Sequence, residues 1–295
     1  MSLKRVASIV VTYNRLNFLK ELIGSLREQS YGCYDIIVVN NSSTDGTEEW
    51  LSEQGDLKVI TQANLGGAGG FFTGMKYAVE EGYDYVWVMD DDVVCRTDSL
   101  AELVSAIEVK EGIGFVCSRV LNERGEETNN PVPMKGGFAP GVLELTVSHA
   151  MVEVERATFV SVLFKREVIC RFGLPLRELF IWYDDYEYTD RISEQMDCYV
   201  ACKSVVTHKG SDYGFLKERN PRRIKMYFYE FRNRYVVLRK KGRFFVFKRY
   251  AKDCLWVAWC LLHLDFLRFG IVLKGVVASL FFWPKVEMVG GGSNV

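Results

Sequence analysis

Apolar residues gather in short blocks through the first 90 positions, separated by polar stretches of helical period. Val6-Ala7-Ser8-Ile9-Val10-Val11-Thr12 has the length and β-branched content of a buried strand, and a helix is predicted from Phe18 to Gln29. The block recurs as a strand over Tyr34 to Asn40, a helix around Thr47 to Glu53 and a strand over Leu57-Lys58-Val59-Ile60. A glycine-rich segment then leads to a helix near Gly74 to Glu81, followed by the apolar run that starts at Tyr83 and ends at Met89. Strands alternating with helices predict an α/β sandwich around a mostly parallel central sheet. Ligands gather at the carboxyl ends of such strands. The loops Thr12–Arg15, Asn40–Thr47, Ala63–Phe72 and Asp90–Asp92 all follow successive strands, so they converge on one edge.

The pattern changes twice further on. From Gly112 to Val160, short strands and turn residues (Asn129-Asn130-Pro131, Lys135-Gly136-Gly137, Pro140-Gly141) predict an irregular β region beside the sheet. From residue 218 to 283, Lys and Arg intermix with Phe, Tyr and Trp, and a helical appendage is predicted to start near Pro221. A chain of 295 residues holds one large domain, or a domain with a smaller appendage. With 37 basic and 38 acidic residues there is no bulk electrostatic case for nucleic acid. Eight cysteines without a CxxC pair fit neither a zinc site nor a disulfide framework, so reduced thiols in a cytosolic compartment are expected. No signal peptide is read before Val6, and no uninterrupted apolar run reaches membrane-spanning length.

The chemistry concentrates where apolar strands stop. Asp90-Asp91-Asp92 closes a buried strand, and three adjacent like charges raise one another's pKa unless a cation sits among them. Strand alternation lets Asp90 and Asp92 point together while Asp91 points away. Two hard oxygen ligands there suit Mg²⁺ or Mn²⁺ carrying a phosphorylated substrate; a solvated acidic turn is the competing reading. Thr12-Tyr13-Asn14-Arg15 can hold a ribose and a diphosphate, or simply cap a helix beside a solvated arginine. The run Asn40-Asn41-Ser42-Ser43-Thr44-Asp45 exceeds what a turn needs, and asparagine offers the donor and acceptor that suit a pyrimidine imide. Asn64-Leu65-Gly66-Gly67-Ala68-Gly69-Gly70 allows close backbone approach to a ligand, lacks the spacing of a Walker loop, and shares its composition with flexible linkers. Trp182 and Tyr183 offer rings for a sugar face, with one of the pair expected in the core.

These four motifs, in this order and spacing, resemble the family 2 glycosyltransferases with the GT-A fold, a Rossmann-like arrangement. The Asn-Leu-Gly-Gly-Ala-Gly-Gly form is similar to the galactofuranosyltransferase and rhamnosyltransferase branches. The resemblance implies inverting transfer from a UDP- or dTDP-sugar to a glycan or lipid-linked acceptor in cell-surface polysaccharide synthesis. It implies donor contacts from Thr12, Tyr13, Asn14, Arg15, Asn40, Asn41, Ser42, Asn64, Gly67, Asp90 and Asp91, and a Mn²⁺ or Mg²⁺ ion on Asp90, Asp92 and His208. The family usually has Asp where this chain has Asn40, which bears on the choice of base. Trp182-Tyr183-Asp184-Asp185-Tyr186-Glu187 looks like the family's acidic base motif; it implies Asp185 as the general base, with Asp184 or Glu187 orienting it or holding sugar. His149 and His263 have no comparable context. Tyr227 to Tyr235 is similar to the Tyr-Tyr-x-x-Arg-Asn segment of the same branch, which places its helix near the site; Arg232 or Arg234 assists the diphosphate or joins a salt-bridged face.

The expected organisation is a GT-A catalytic domain over 1–217, with a donor half 1–111 and an acceptor and base half 112–217, then a helical region 218–295. The basic, aromatic tail from Arg243 to Trp283 fits peripheral contact at the inner face of a membrane, a helical cap or a homo-oligomer interface. A nucleotidyltransferase would place a glycine-rich loop with a basic residue near position 15, whereas here the glycines begin at Gly66. A non-catalytic sugar-nucleotide-binding relative would keep the loops and lose base or metal ligands, and neither is lost.

Overall fold

A computed structural model describes residues 3–128, 131–133, 142–210 and 215–290. Asn129-Asn130, Lys135-Gly136-Gly137 and Pro140-Gly141, read above as turns, lie outside the described residues. The donor half runs β1 (Val6–Thr12), α1 (Leu16–Arg27), β2 (Tyr34–Asn40), α2 (Thr47–Ser52), β3 (Leu57–Thr61), α3 (Gly66–Glu80), β4 (Tyr85–Asp90), β5 (Val93–Cys95) and α4 (Ser99–Ile107). The middle supplies β6 (Ile113–Leu121), β7 (Val132–Pro133), α5 (Val142–His149), β8 (Met151–Arg156), β9 (Val162–Lys165) and α6 (Arg166–Phe172). Then come α7 (Asp184–Ser193), β10 (Asp197–His208) and three long helices, α8 (Pro221–Lys241), α9 (Arg243–Leu262) and α10 (Phe266–Phe281).

The strands order as β3-β2-β1-β4-β9-β6-β10-β8-β7, with β5 pairing beside β10. The mostly parallel sheet is present: β3, β2, β1 and β4 are parallel neighbours, and β6 is parallel to β10. It becomes mixed because β9 enters antiparallel between β4 and β6. Register aligns the strand ends, with Thr12 opposite Asn40 and Val11 opposite Asp90. Both faces of the sheet are covered. Val10, Val38, Trp87 and Met89 pack into one core layer with α1 and α4, while Ile9, Val39 and Val88 pack into the other with α3. Burial on two sides is why these strands read as continuous apolar runs.

Two expectations change in form. β6 is no peripheral β irregularity: it is a nine-residue strand inside the sheet, fully apolar where it pairs with β9. The glycine-rich segment is not a loop ahead of a helix at Gly74, because α3 already begins at Gly66. Its glycines let the helix lie close on the sheet. A Cβ at Gly70 would sit 2.2 Å from Val11 Cγ1, and one at Gly74 would sit 2.5 Å from Ile9 Cγ2. Low helix propensity is outweighed by this close packing. The helical tail starts as expected: Asn220 caps α8 through its side chain, and Pro221 occupies the first turn, where its missing N–H has no partner to lose. Gly74→Ala is expected to destabilise the protein by about 1–3 kcal/mol through overpacking, seen as a lower urea midpoint. The exposed-side change Gly24→Ala, whose Cβ meets nothing within 4 Å, serves as its neutral or stabilising control.

Candidate active site

The carboxyl ends of β1 and β4 open into a cavity of about 520 Å³, a size suited to a nucleotide sugar. Its walls include Thr12, Tyr13, Arg15, Asn41, Asn64 and Gly67 from the donor loops, all three aspartates of 90–92, and Trp182, Asp184 and Asp185. The sequence-derived site residues on these walls thus converge from as far apart in the chain as Thr12 and Asp185.

β4 ends at Asp90 and the chain turns, so Asp92 is not grouped with Asp90 by strand alternation. The turn is held by the Lys209 N–H donating to the Asp92 carbonyl at 2.9 Å, which brings the end of β10 alongside. Ligand atoms of Asp90, Asp92 and His208 lie within 4.8 Å of one another. His208 Nε2 is 3.1 Å from Asp92 Oδ1. Asp91 lies outside that cluster: it accepts from the Thr12 hydroxyl (2.7 Å) and from Arg15 (3.0 Å). Arg15 also donates to Asp92 Oδ2 at 2.6 Å.

The charges are unequally compensated. Burial first, then the Asp92 charge, pushes the Asp90 carboxyl up to about 8. Burial also opposes ionisation of Asp92, but His208 and Arg15 hold it down at about 2. Burial raises the Asp184 carboxyl to about 6, and burial with the neighbouring Asp184 charge lifts Asp185 well above the usual carboxylate range. Asp90 and Asp185 act on one another across the cavity, Asp90 being among the causes of the rise at Asp185. Buried Asp92, half-buried Asp90 and the His208 imidazole form an oxygen-rich donor set that fits a hard divalent cation.

Asp184 and Asp185 sit in the first turn of α7, where carboxylates suit the positive end of the helix dipole. They are delivered by an unusual turn. Phe180, Trp182 and Tyr183 all have left-handed backbone, with φ of 67°, 63° and 70°. Such residues cost of order 1–3 kcal/mol each unless the surroundings over-determine them. Here they do. The side-chain amide of buried Asn233 in α8 donates to the carbonyls of Leu179 (2.8 Å), Ile181 (2.9 Å) and Trp182 (3.0 Å). Arg232 adds bonds to the carbonyls of Glu178 and Leu179. From the other side, the Ala68 N–H donates to the Phe180 carbonyl at 3.1 Å. A Cβ at Gly66 would meet that same oxygen at 2.0 Å, so glycine is required there by proximity as well as by its φ of 72°.

Several expected site residues do not reach the cavity. Asn40 is fully buried; its side-chain oxygen accepts the Ser43 N–H at 3.0 Å and its amide faces Glu48. Asn14 accepts the Thr44 N–H, and Ser42 donates to the Gln62 carbonyl, so both shape loops. Glu187 is buried in ion pairs with Arg191 (2.8 Å) and Lys240 (2.7 Å). Tyr183 gives its hydroxyl to Glu230 at 3.0 Å, which leaves Trp182, packed on Tyr227, as the ring on the wall. Arg234 is committed to buried Asp253, and Arg232 to the turn. Their place opposite the donor loops is taken by Arg223 and Glu218, 3.4 Å apart on the wall. No sequence signal marked that pair. Asn233 stood inside a motif already singled out, but buried carbonyls are invisible in a sequence.

The family model described as Glycosyl transferase family 2 matches residues 8–164. The chain belongs to that family. It is 26% identical over 301 residues to the galactofuranosyltransferase GlfT1 of Mycobacterium tuberculosis, covering 97% of this chain and 95% of that protein. It is 30% identical over 112 residues, 36% of this chain, to the undecaprenyl-phosphate mannosyltransferase of Micrococcus luteus. Among solved structures it resembles the mannosyltransferase PcManGT of Pyrobaculum calidifontis in complex with GDP-Man and Mn²⁺, with a TM-score of 0.55, 18% identity, and 95% and 88% of the two chains covered. GalNAc-T7 with UDP, GalNAc and Mn²⁺ superposes with a TM-score of 0.56 at 16% identity over 71% of this chain and 44% of that one. The chain is a glycosyltransferase of GT-A fold, and its Asp-Asp-His cluster is of a kind that binds metal.

Asn233→Ala is expected to destabilise the protein by about 1–3 kcal/mol, since it removes the side-chain donor of the Ile181 and Trp182 carbonyls and one donor of Leu179, which keeps Arg232. It should also open the 178–183 turn to protease before the sheet unfolds. Equal cleavage rates in variant and parent would contradict the clamp.

Proposed function

We propose that this glycosyltransferase transfers galactofuranose, with rhamnose the second choice, from a UDP- or dTDP-sugar to a hydroxyl of a glycan or lipid-linked acceptor, with inversion at the anomeric carbon. One observation carries the reading: Asp90 and Asp92, which cluster with His208, share a single cavity with Asp184 and Asp185. An inverting displacement needs those two ends, a site for the leaving diphosphate and a carboxylate on the opposite face. The near full-length match to GlfT1 supports galactofuranose over rhamnose.

Asp90, Asp92 and His208 would hold Mn²⁺ or Mg²⁺, which when bound supplies positive charge to the diphosphate. Arg15, already between Asp91 and Asp92 and half-exposed toward the cavity, reaches the same phosphates. Asn41 and Asn64 line the nucleoside end, and Tyr13, exposed at the mouth, offers a ring to the base. Asn40 supports the loop that carries Asn41 instead of meeting the base. Trp182 takes the sugar face. Asp185 accepts the acceptor proton as its oxygen attacks, and Asp184 orients it and shares the negative charge. In this division residues 1–111 bind donor, 112–217 carry the acceptor site and base, and 218–295 close it from outside.

Asp185→Asn is expected to lower kcat by about 10²–10⁴-fold while leaving the UDP- and Mn²⁺-dependent rise in melting temperature intact. Unchanged turnover would remove Asp185 from the role of base. The same substitution should raise the melting temperature at neutral pH. A carboxyl whose folded pKa lies above its unfolded value is destabilised as it ionises, and that penalty grows as pH rises through the folded pKa. Activity should do the opposite. Only the ionised base works, so the acid limb of kcat is expected above the usual carboxylate range, and a limb near pH 4 would contradict the assignment.

A further inference from the structure

The α9 helix is inverted relative to an ordinary surface helix, which turns its apolar stripe inward. Its Asp253 is fully buried, held by Arg234 (2.5 Å), Arg249 (3.0 Å) and the Tyr235 hydroxyl (2.6 Å). Its outer residues are Phe244, Phe247, Leu255, Leu261 and Leu262, the last 81% exposed. The apolar surface continues through Leu264, Phe266 and Leu267, and along α10 to Leu280, Phe281 and Trp283. Exposed apolar residues therefore recur along the 20 residues of α9, roughly 30 Å. Large apolar side chains left in solvent in this number on two neighbouring helices mark an interaction surface.

The charges on this face say by what. Between residues 241 and 285 the exposed charged side chains are Lys241, Arg243, Lys248, Lys252, Lys274 and Lys285, all basic. The acidic residues of the segment are withdrawn, Asp253 by burial and Asp265 by pairing with Arg268 at 2.6 Å. Trp256 and Trp259 line a groove of about 310 Å³ on the same face with Leu216, Lys252 and Leu255. Indole rings beside lysines suit a headgroup boundary, where one end of the ring is apolar and the other wet. A second copy docked by the same patch would set basic residues against basic residues. Among the described residues no helix is long and apolar enough to cross a membrane.

We infer that the α9–α10 face seats the protein in the plane of an anionic membrane, its leucines and aromatics at the acyl boundary and its lysines on lipid phosphates. The test is flotation of the full chain with vesicles of phosphatidylcholine alone or mixed with phosphatidylglycerol. Parent protein is expected to float with the mixed vesicles, less so in high salt, and weakly with phosphatidylcholine alone. Lys248→Glu with Lys252→Glu should reduce binding about tenfold or more, and Leu262→Ser with Phe266→Ser should reduce it on both vesicle types. All four side chains lie away from the catalytic cavity, and an unchanged melting temperature verifies the fold without reference to any nucleotide or turnover. Parent protein that ignores both vesicles, or variants that bind like the parent, overturns the inference. A concentration-dependent dimer that is lost in the leucine and phenylalanine variant, with no flotation, overturns it in favour of self-association.

Discussion

Four carboxylates cannot share one cavity unless something holds them there against their mutual repulsion. Asp90, Asp92, Asp184 and Asp185 do share one, with Arg15 and His208 as the nearest compensation. The compensation is lopsided. Asp92 takes both partners and stays ionised easily, whereas Asp90 is left with its carboxyl pushed up to about 8 by burial and by Asp92. The surrounding architecture can be understood as the apparatus that imposes this arrangement. Parallel strands in register bring β1 and β4 to the same line, and β10 returns antiparallel to β5 to add its histidine. The α7 dipole then favours carboxylates on the facing wall.

That facing wall is the part most exposed to strain, and it is secured from two directions. The amide of Asn233 gathers three carbonyls of the turn from the C-terminal helices, and the first turn of α3 receives the Phe180 carbonyl from the sheet side. Neither contact touches the cavity chemistry directly. Their effect is to remove alternatives: three left-handed residues would relax elsewhere if the turn were free. Close packing of α3 on the sheet belongs to the same device, because only a helix without side chains at Gly66 and Gly70 comes near enough to meet both β1 and the turn.

The C-terminal helices link this wall to the exterior. Glu230 of α8 accepts from Tyr183, which directly precedes the catalytic candidates, and four residues on Arg234 meets buried Asp253 of α9. Asp253 and Arg234 are thus drawn into the helical layer, while many large apolar side chains of α9 are left outside. The side of α8 that organises the turn is joined to α9 by one buried ionic network, desolvated enough that losing either member would strand a charge.

Much of this was legible beforehand for a simple reason: strands buried on both faces leave apolar runs, and a ligand edge leaves polar residues where those runs stop. The α/β class, the order of the donor loops, the aspartate run, the acidic motif at 184–185, His208 and the start of the tail at Pro221 all carry such local marks. What the chain alone did not determine are distances between distant segments. Asn40 looks like a base reader until its side chain is seen spent on Ser43 and Glu48. Glu187 looks like a residue that orients the base or holds sugar until helix periodicity turns it toward Arg191 and Lys240. The glycines read as a segment open to close ligand approach, because only the nearness of Val11, Ile9 and the Phe180 carbonyl makes a bare helix face the better use of them. Residue type and spacing determine what chemistry is available. Which group is buried, which is paired and which is left facing the cavity depends on neighbours up to some 200 positions away, and only tertiary packing decides those.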